Sequence, residues 1–139
     1  MKTVKVGVFS PNTAAGSTIY LQSALTTRFA PGPQLVCAAN LAARHVNNKD
    51  ASVVPTMANL TTNVSVELYY WDSALLTQAA LPGFFWMREQ GVHAIVTDGN
   101  AMTDYVGQVA AVFQLPTCGY LSTDPDLSSA YSYPYVALM

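Results

Sequence analysis

The hydrophobic pattern changes period several times along the chain. Residues 4–10, VKVGVFS, form an apolar run closed by Pro11-Asn12, which predicts a buried strand and a turn. A connection rich in small and polar residues follows over 11–33, with room for a helical turn near 20–26. Residues 34–48 set Leu35, Ala38, Ala39, Ala42 and Val46 on one side at helical spacing, with Pro33 suited to the first turn. Residues 64–72, VSVELYYWD, alternate and are rich in β-branched and aromatic side chains, which predicts a strand. A helix should start at an Asp72 or Ser73 cap, bend at Pro82-Gly83 and end at Gly91. Residues 92–99 read as a buried strand. Residues 101–114 read as a helix with Tyr105, Val109 and Val112 on one face. Residues 115–123 and 133–138 read as two further strands.

Strands alternating with helices predict an α/β fold: three layers, a mostly parallel sheet with helices on both faces. Ligands of such sheets bind beyond the carboxyl ends of the strands. Those ends are residues 10–16, 72–73, 98–103 and 121–126. The hydroxyl-rich stretch GYLSTDPDLSSAYSYPY, 119–135, then belongs to the ligand edge rather than to an ordinary loop.

Composition narrows the picture. The chain has 139 residues, of which 51% are hydrophobic, as suits one domain with a core of its own. A net charge of -2 with only 6 Lys+Arg argues against nucleic acid as partner. With 10% charged residues, solubility has to come from glycans or a covering partner. Two sequons, Asn59-Leu60-Thr61 and Asn63-Val64-Ser65, mark a surface loop in the secretory pathway if they are used; chance occurrence is the alternative. Cys37 and Cys118 have no metal spacing and read as two buried free thiols, with a disulfide as the other reading. No apolar run approaches the roughly 20 residues of a membrane helix. The N-terminus alternates like a strand, so either a leader has been removed or the protein stays inside the cell.

Several segments together resemble the ligand-binding region of the atrial natriuretic factor receptor family, which includes the extracellular domains of class C G-protein-coupled receptors and shares the type I periplasmic-binding-protein fold. GVHAIVTDG looks like that family's strand ending in Gly at the crevice, and VAAVFQLPTCGYLST like its helix and following strand. DLSSAYSYPYVA resembles its turn and last strand, QLVCAANLAARHVNN its first helix, and VELYYWDSALLTQAAL its next strand and helix. The resemblance runs from Lys5 to the end, with a divergent insertion at 11–33.

The resemblance implies one domain over 1–139, the N-terminal lobe of a bilobed clamshell without its second lobe, placed outside the cell. It implies a small amino-acid-like or peptide ligand and a protein partner or homodimer through the first helices. Membrane attachment would come only through downstream segments. Thr123 matches the family's ligand-binding Thr. The neighbouring Ser position falls on Leu121, the crevice-helix Ser near Asn100 or Ala101, and the first-helix Arg on Leu35. Glutamate binding of the family's kind is therefore not expected, because a desolvated carboxylate needs charge-assisted donors.

Candidate ligand-binding residues are Ser10, Asn100, Ala101, Thr103, Ser122, Thr123 and Asp124, with Asn12 also polar at the edge. Each has the alternative of capping a helix or making a turn. Asn59 and Asn63 are the candidate glycan acceptors. No catalytic residue, metal site or cofactor is expected. His45 and His93 lack metal partners at helical spacing. Asp72, Asp98 and Asp104 lack a nucleophile–base pair, and Asp98 has the alternative of a turn-maker before Gly99. Two other classes stay open. One is a small flavodoxin-like redox protein with a phosphate cradle after the first strand. The other is a non-binding assembly piece. Phe84, Phe85, Trp86 and Met87 are expected to be buried against the sheet or another chain, since one helix face cannot hold all four.

Overall fold

The computed structural model describes residues 2–11, 31–53, 55–59, 63–74 and 76–139. The helical turn expected near 20–26, and Asn12, lie outside the described residues. Among the described residues, five strands form one all-parallel sheet: β1 (Lys2–Ser10), β2 (Val64–Asp72), β3 (Ala94–Asp98), β4 (Thr117–Tyr120) and β5 (Val136–Leu138). Their spatial order is β2-β1-β3-β4-β5. Among the described residues the α-helices are α1 (Pro31–Asn47), α2 (Ala80–Glu89) and α3 (Gly99–Val112). This is the α/β architecture with a parallel sheet that the alternating pattern predicts.

The two faces of the sheet can be read from single contacts. A Cβ on Gly7 would fall 2.3 Å from Met87 Sδ, so β1 turns Gly7 and Phe9 toward α2. Ser10, one residue on, donates its hydroxyl to the Gly32 carbonyl of α1 at 3.1 Å. On β2, Trp71 packs on Trp86 of α2 while Tyr70 donates to the Val36 carbonyl of α1. The period-2 alternation of strands thus serves two helical layers. The core lies on the α2–α3 side, where Phe9, Phe84, Met87, Ile95 and Val106 are buried. Among the described residues, α1 covers the other face. α1 rests on β1 and β2, and beside it Ala94, Val96, Cys118 and Ala137 line an open apolar groove.

Several sequence expectations need correction. α2 does not begin at Ser73. Ala74 takes φ 48°, a short 3-10 turn spans Thr77–Ala79, and the helix starts at Ala80. Pro82 then falls in the first turn, where a missing N–H breaks no helical bond, so it does not bend the helix. Gly83 is there for close approach: its Cβ would lie 2.5 Å from both Phe9 Cε1 and Trp71 Cδ1. Gly91 does end this segment, at φ 71°. In α1, Ala38 and Ala42 are exposed, and Leu35, Val36, Ala39, Ala43 and Val46 form the half-buried stripe. In α3, Tyr105 and Val112 face solvent, and Met102, Thr103, Val106, Gly107 and Ala110 are buried. The inward stripe includes a hydroxyl and a glycine, which hydrophobicity counting passes over. Cys37 is exposed and Cys118 half-buried, both free; Cys37 sits on the outer side of α1. Of the aromatic run, Phe84 and Met87 are buried, Trp86 is half-buried, and Phe85 is 45% exposed beside Phe113.

Candidate functional site

The order β2-β1-β3 has a topological consequence. The connection after β1 leads to one side and the connection after β2 returns to the other, so a crevice opens where β1 and β3 end. Ser10 closes β1, Asp72 closes β2 and Asp98 closes β3. Beyond Asp72 the chain turns tightly: Ser73 N–H donates to the Ser10 carbonyl at 3.1 Å, and Ala74 N–H donates to Asp72 Oδ1 at 2.9 Å. This turn aims Ser73 across the crevice, where its hydroxyl donates to Asp98 Oδ2 at 2.5 Å. Ser10 and Ser73 are fully buried, so they shape the crevice floor.

Asp98 is the unusual group here. Its Oδ1 is buried and accepts no hydrogen bond. Burial pushes its carboxyl above the ordinary carboxylate range, the Ser73 hydrogen bond opposes the rise, and the nearby Asp72 charge adds to it. Asp98 also stands at the start of α3, but its side chain makes no cap bond there. Gly99 follows at φ 70°, a left-handed conformation that only glycine takes without strain. A turn-making Asp before Gly is thus part of the truth: the glycine makes the turn and leaves the carboxylate pointing elsewhere.

The second half of the edge joins β3 to β4. Asn100 Oδ1 accepts from Thr123 N–H at 2.6 Å and from Asp124 N–H at 3.1 Å. Asn100 therefore holds the loop after β4 rather than capping α3. Thr103 lies deeper. Its hydroxyl donates to the Gly99 carbonyl at 2.8 Å and lies 2.7 Å from Thr97 Oγ1 and 2.6 Å from Ser122 Oγ. Thr97 and Thr103 are fully buried, and Ser122 is 4% exposed. Ser122 reaches this chain because Leu121 at φ 58° folds the backbone under the strand end, and because a Cβ on Gly119 would sit 2.7 Å from Ser122 Oγ.

The structure thus brings Asn100, Thr103, Ser122, Thr123 and Asp124 together at one edge. Ala101, Asn100, Thr123 and Asp124 are on its surface, while Thr103, Ser122 and Ser10 are inside it. Asp124 caps the 3-10 turn Pro125–Ser128 by accepting from Asp126 N–H at 3.0 Å, and Leu127 is buried beneath that turn. Farther along, Tyr133 donates its hydroxyl to Asp104 of α3, while Tyr131 stands in solvent. The tyrosine-rich stretch is therefore a crossover pinned to α3. The sequence places Ser73 at the ligand edge and reads it as a helix cap; what it does not show is the hydrogen bond from Ser73 to Asp98. Among the described residues no group of His, Cys, Asp and Glu is arranged to hold a metal ion. No helix among them is long and apolar enough to cross a membrane.

Comparison with protein-family models finds none that matches this chain, and comparison with curated proteins finds no match either.

Proposed function

We propose that the carboxyl edge of this sheet binds a small polar ligand, and that the chain acts as the first lobe of an extracellular ligand-sensing clamshell like the one its sequence resembles. The observation that carries this reading is the buried Asp98 carboxylate, held by Ser73 at the crevice between β1 and β3. A half-satisfied buried carboxylate costs stability, and groups kept at such a cost concentrate at functional sites. The edge built by Asn100 and Thr123 supplies exposed polar groups on the same side.

The negative charge of Asp98 and Asp72 favours a neutral or cationic ligand group over a phosphate. That weighs against the flavin-type reading, because a phosphate needs donors where these carboxylates stand. One lobe contributes only part of a clamshell site and closes out no water, so its binding is weak. The test is calorimetry with a panel of free amino acids and primary amines, on the chain and on Thr123→Ala and Asp98→Asn. Weak binding that either substitution reduces supports the reading. Micromolar or tighter binding that neither substitution changes contradicts it.

A further inference from the structure

We propose that Asn63 is an N-glycan acceptor and that its glycan shields the edge of the sheet left open among the described residues; the proposal rests on the secretory placement in the reading above. β2 is an outer strand, paired only with β1 among the described strands. Backbone polar groups of successive strand residues point to opposite sides. Asn63 gives its carbonyl to Lys2 N–H at 2.9 Å, and residues in step with it also face β1. Val64, Val66, Leu68 and Tyr70 therefore turn their N–H and C=O outward.

An open edge of this kind recruits other strands unless something blocks it, and the usual blocks are charged side chains, proline, or a covering group. β2 has no proline and only Glu67 and Asp72 as charges. One covering group is in place. The Asn47 carboxamide, at the end of α1, donates to the Val66 carbonyl at 3.0 Å and accepts from Val66 N–H at 2.6 Å. It occupies the edge as one residue of a neighbouring strand would. The Val64 end, toward the amino edge, lacks such a cover from Asn47, and Asn63 stands exposed beside it. The sequon Asn63-Val64-Ser65 lies wholly within the described residues. In the fold Ser65 Oγ lies 3.2 Å from Thr3 Oγ1 and Val64 pairs with Lys2, so the sequon is extended and engaged. Transfer must therefore precede docking of β2 on β1.

The step is an oligosaccharide transfer from a lipid-linked pyrophosphate donor. A bond forms from Asn63 Nδ2 to the sugar anomeric carbon, the anomeric carbon–phosphate oxygen bond breaks, and the lipid pyrophosphate leaves while the amide gives up a proton. A glycan here does not obstruct the ligand edge. Asp72, at the other end of β2, is about 30 Å from Asn63 along the strand.

The experiment is translation of the whole chain, behind a cleavable secretion leader, with endoplasmic-reticulum microsomes. It is paired with peptide mapping of the protein secreted from eukaryotic cells. We expect an endoglycosidase-sensitive gel shift in Asn59→Gln that is lost in Asn59→Gln/Asn63→Gln and in Asn59→Gln/Ser65→Ala. We also expect glycan mass on the Asn63 peptide. Because the microsome readout precedes folding, a variant that misfolds still reports. Enzymatic removal of the glycan should move the secreted protein toward larger species on size exclusion, more so in Asn47→Ala. A bare Asn63 in secreted protein, or no shift in Asn59→Gln, overturns the proposal. A glycosylated chain that binds no ligand at its carboxyl edge would instead overturn the functional reading and leave this one standing.

Discussion

Ser73 donates its hydroxyl to Asp98 Oδ2 at 2.5 Å and so ties the end of β2 to the end of β3 across the end of β1. Among the described side chains it is the donor that holds the Asp98 carboxylate, whose Oδ1 is buried without a side-chain partner. Removing it should hurt. Ser73→Ala takes this hydroxyl donor away from a carboxylate whose other oxygen is buried without a side-chain partner, which costs about 1–3 kcal/mol. Chemical denaturation of the variant against the parent protein measures this directly.

Asp98→Asn should act in the opposite direction. Burial raises the folded-state pKa of Asp98. The folded protein then binds this proton more readily than the unfolded chain. The contribution of Asp98 to stability is most favourable below the ordinary carboxylate pKa. It declines as pH rises through the raised folded value and stays low above it. A neutral amide keeps an acceptor for Ser73 and avoids the burial of charge. Asp98→Asn should be the more stable protein near neutral pH. It should also remove this part of the pH dependence, as read from melting temperature across an acid-to-neutral series. An unchanged pH profile would mean that Asp98 titrates like a solvated carboxylate.

Thr103→Val tests the hydroxyl chain beneath the edge. Thr103 lies within hydrogen-bond distance of Thr97 and Ser122. Valine keeps the shape and removes the oxygen that both neighbours use. The loss should be about 1–3 kcal/mol, with faster amide exchange around Ser122. Asn100→Ala, by contrast, frees the exposed Thr123 and Asp124 N–H groups to water. It should cost less, about 0.5–1.5 kcal/mol, and raise exchange at those two amides only.

Gly83→Ala tests the packing of α2 on the sheet. The added methyl would meet the Phe9 and Trp71 rings at 2.5 Å, with both rings held by the core. Overpacking of this kind costs about 1–3 kcal/mol, more than alanine gains over glycine as a helix former. A more stable variant would show that α2 can lift from the strands without loss.

The fold was legible because its signals are local. The apolar run 4–10, the alternation over 64–72 and the glycines at 91 and 99 each report one strand or one boundary. The misread positions are those where tertiary contacts choose. Pro82 looks like a helix breaker until the start of the helix is known to be Ala80. Ser73 looks like a cap until β3 places Asp98 across from it. On α3 the inward face includes Thr103, whose burial depends on hydroxyl partners from β3 and from the loop after β4. Strand-end hydroxyls look alike in sequence, whether they line a surface as Thr123 does or fill the interior as Ser122 does. Only the left-handed Leu121 separates them.

The most direct test of a ligand-binding carboxyl edge is amide chemical-shift mapping of the whole chain titrated with primary amines and free amino acids. The account predicts saturable shifts that cluster at Ser10, Ser73, Asp98 to Asn100 and Thr123, lost or much weakened in Asp98→Asn. Shifts confined to the groove at Ala94, Cys118 and Ala137, or a response in Asp98→Asn equal to that of the parent chain, would contradict it.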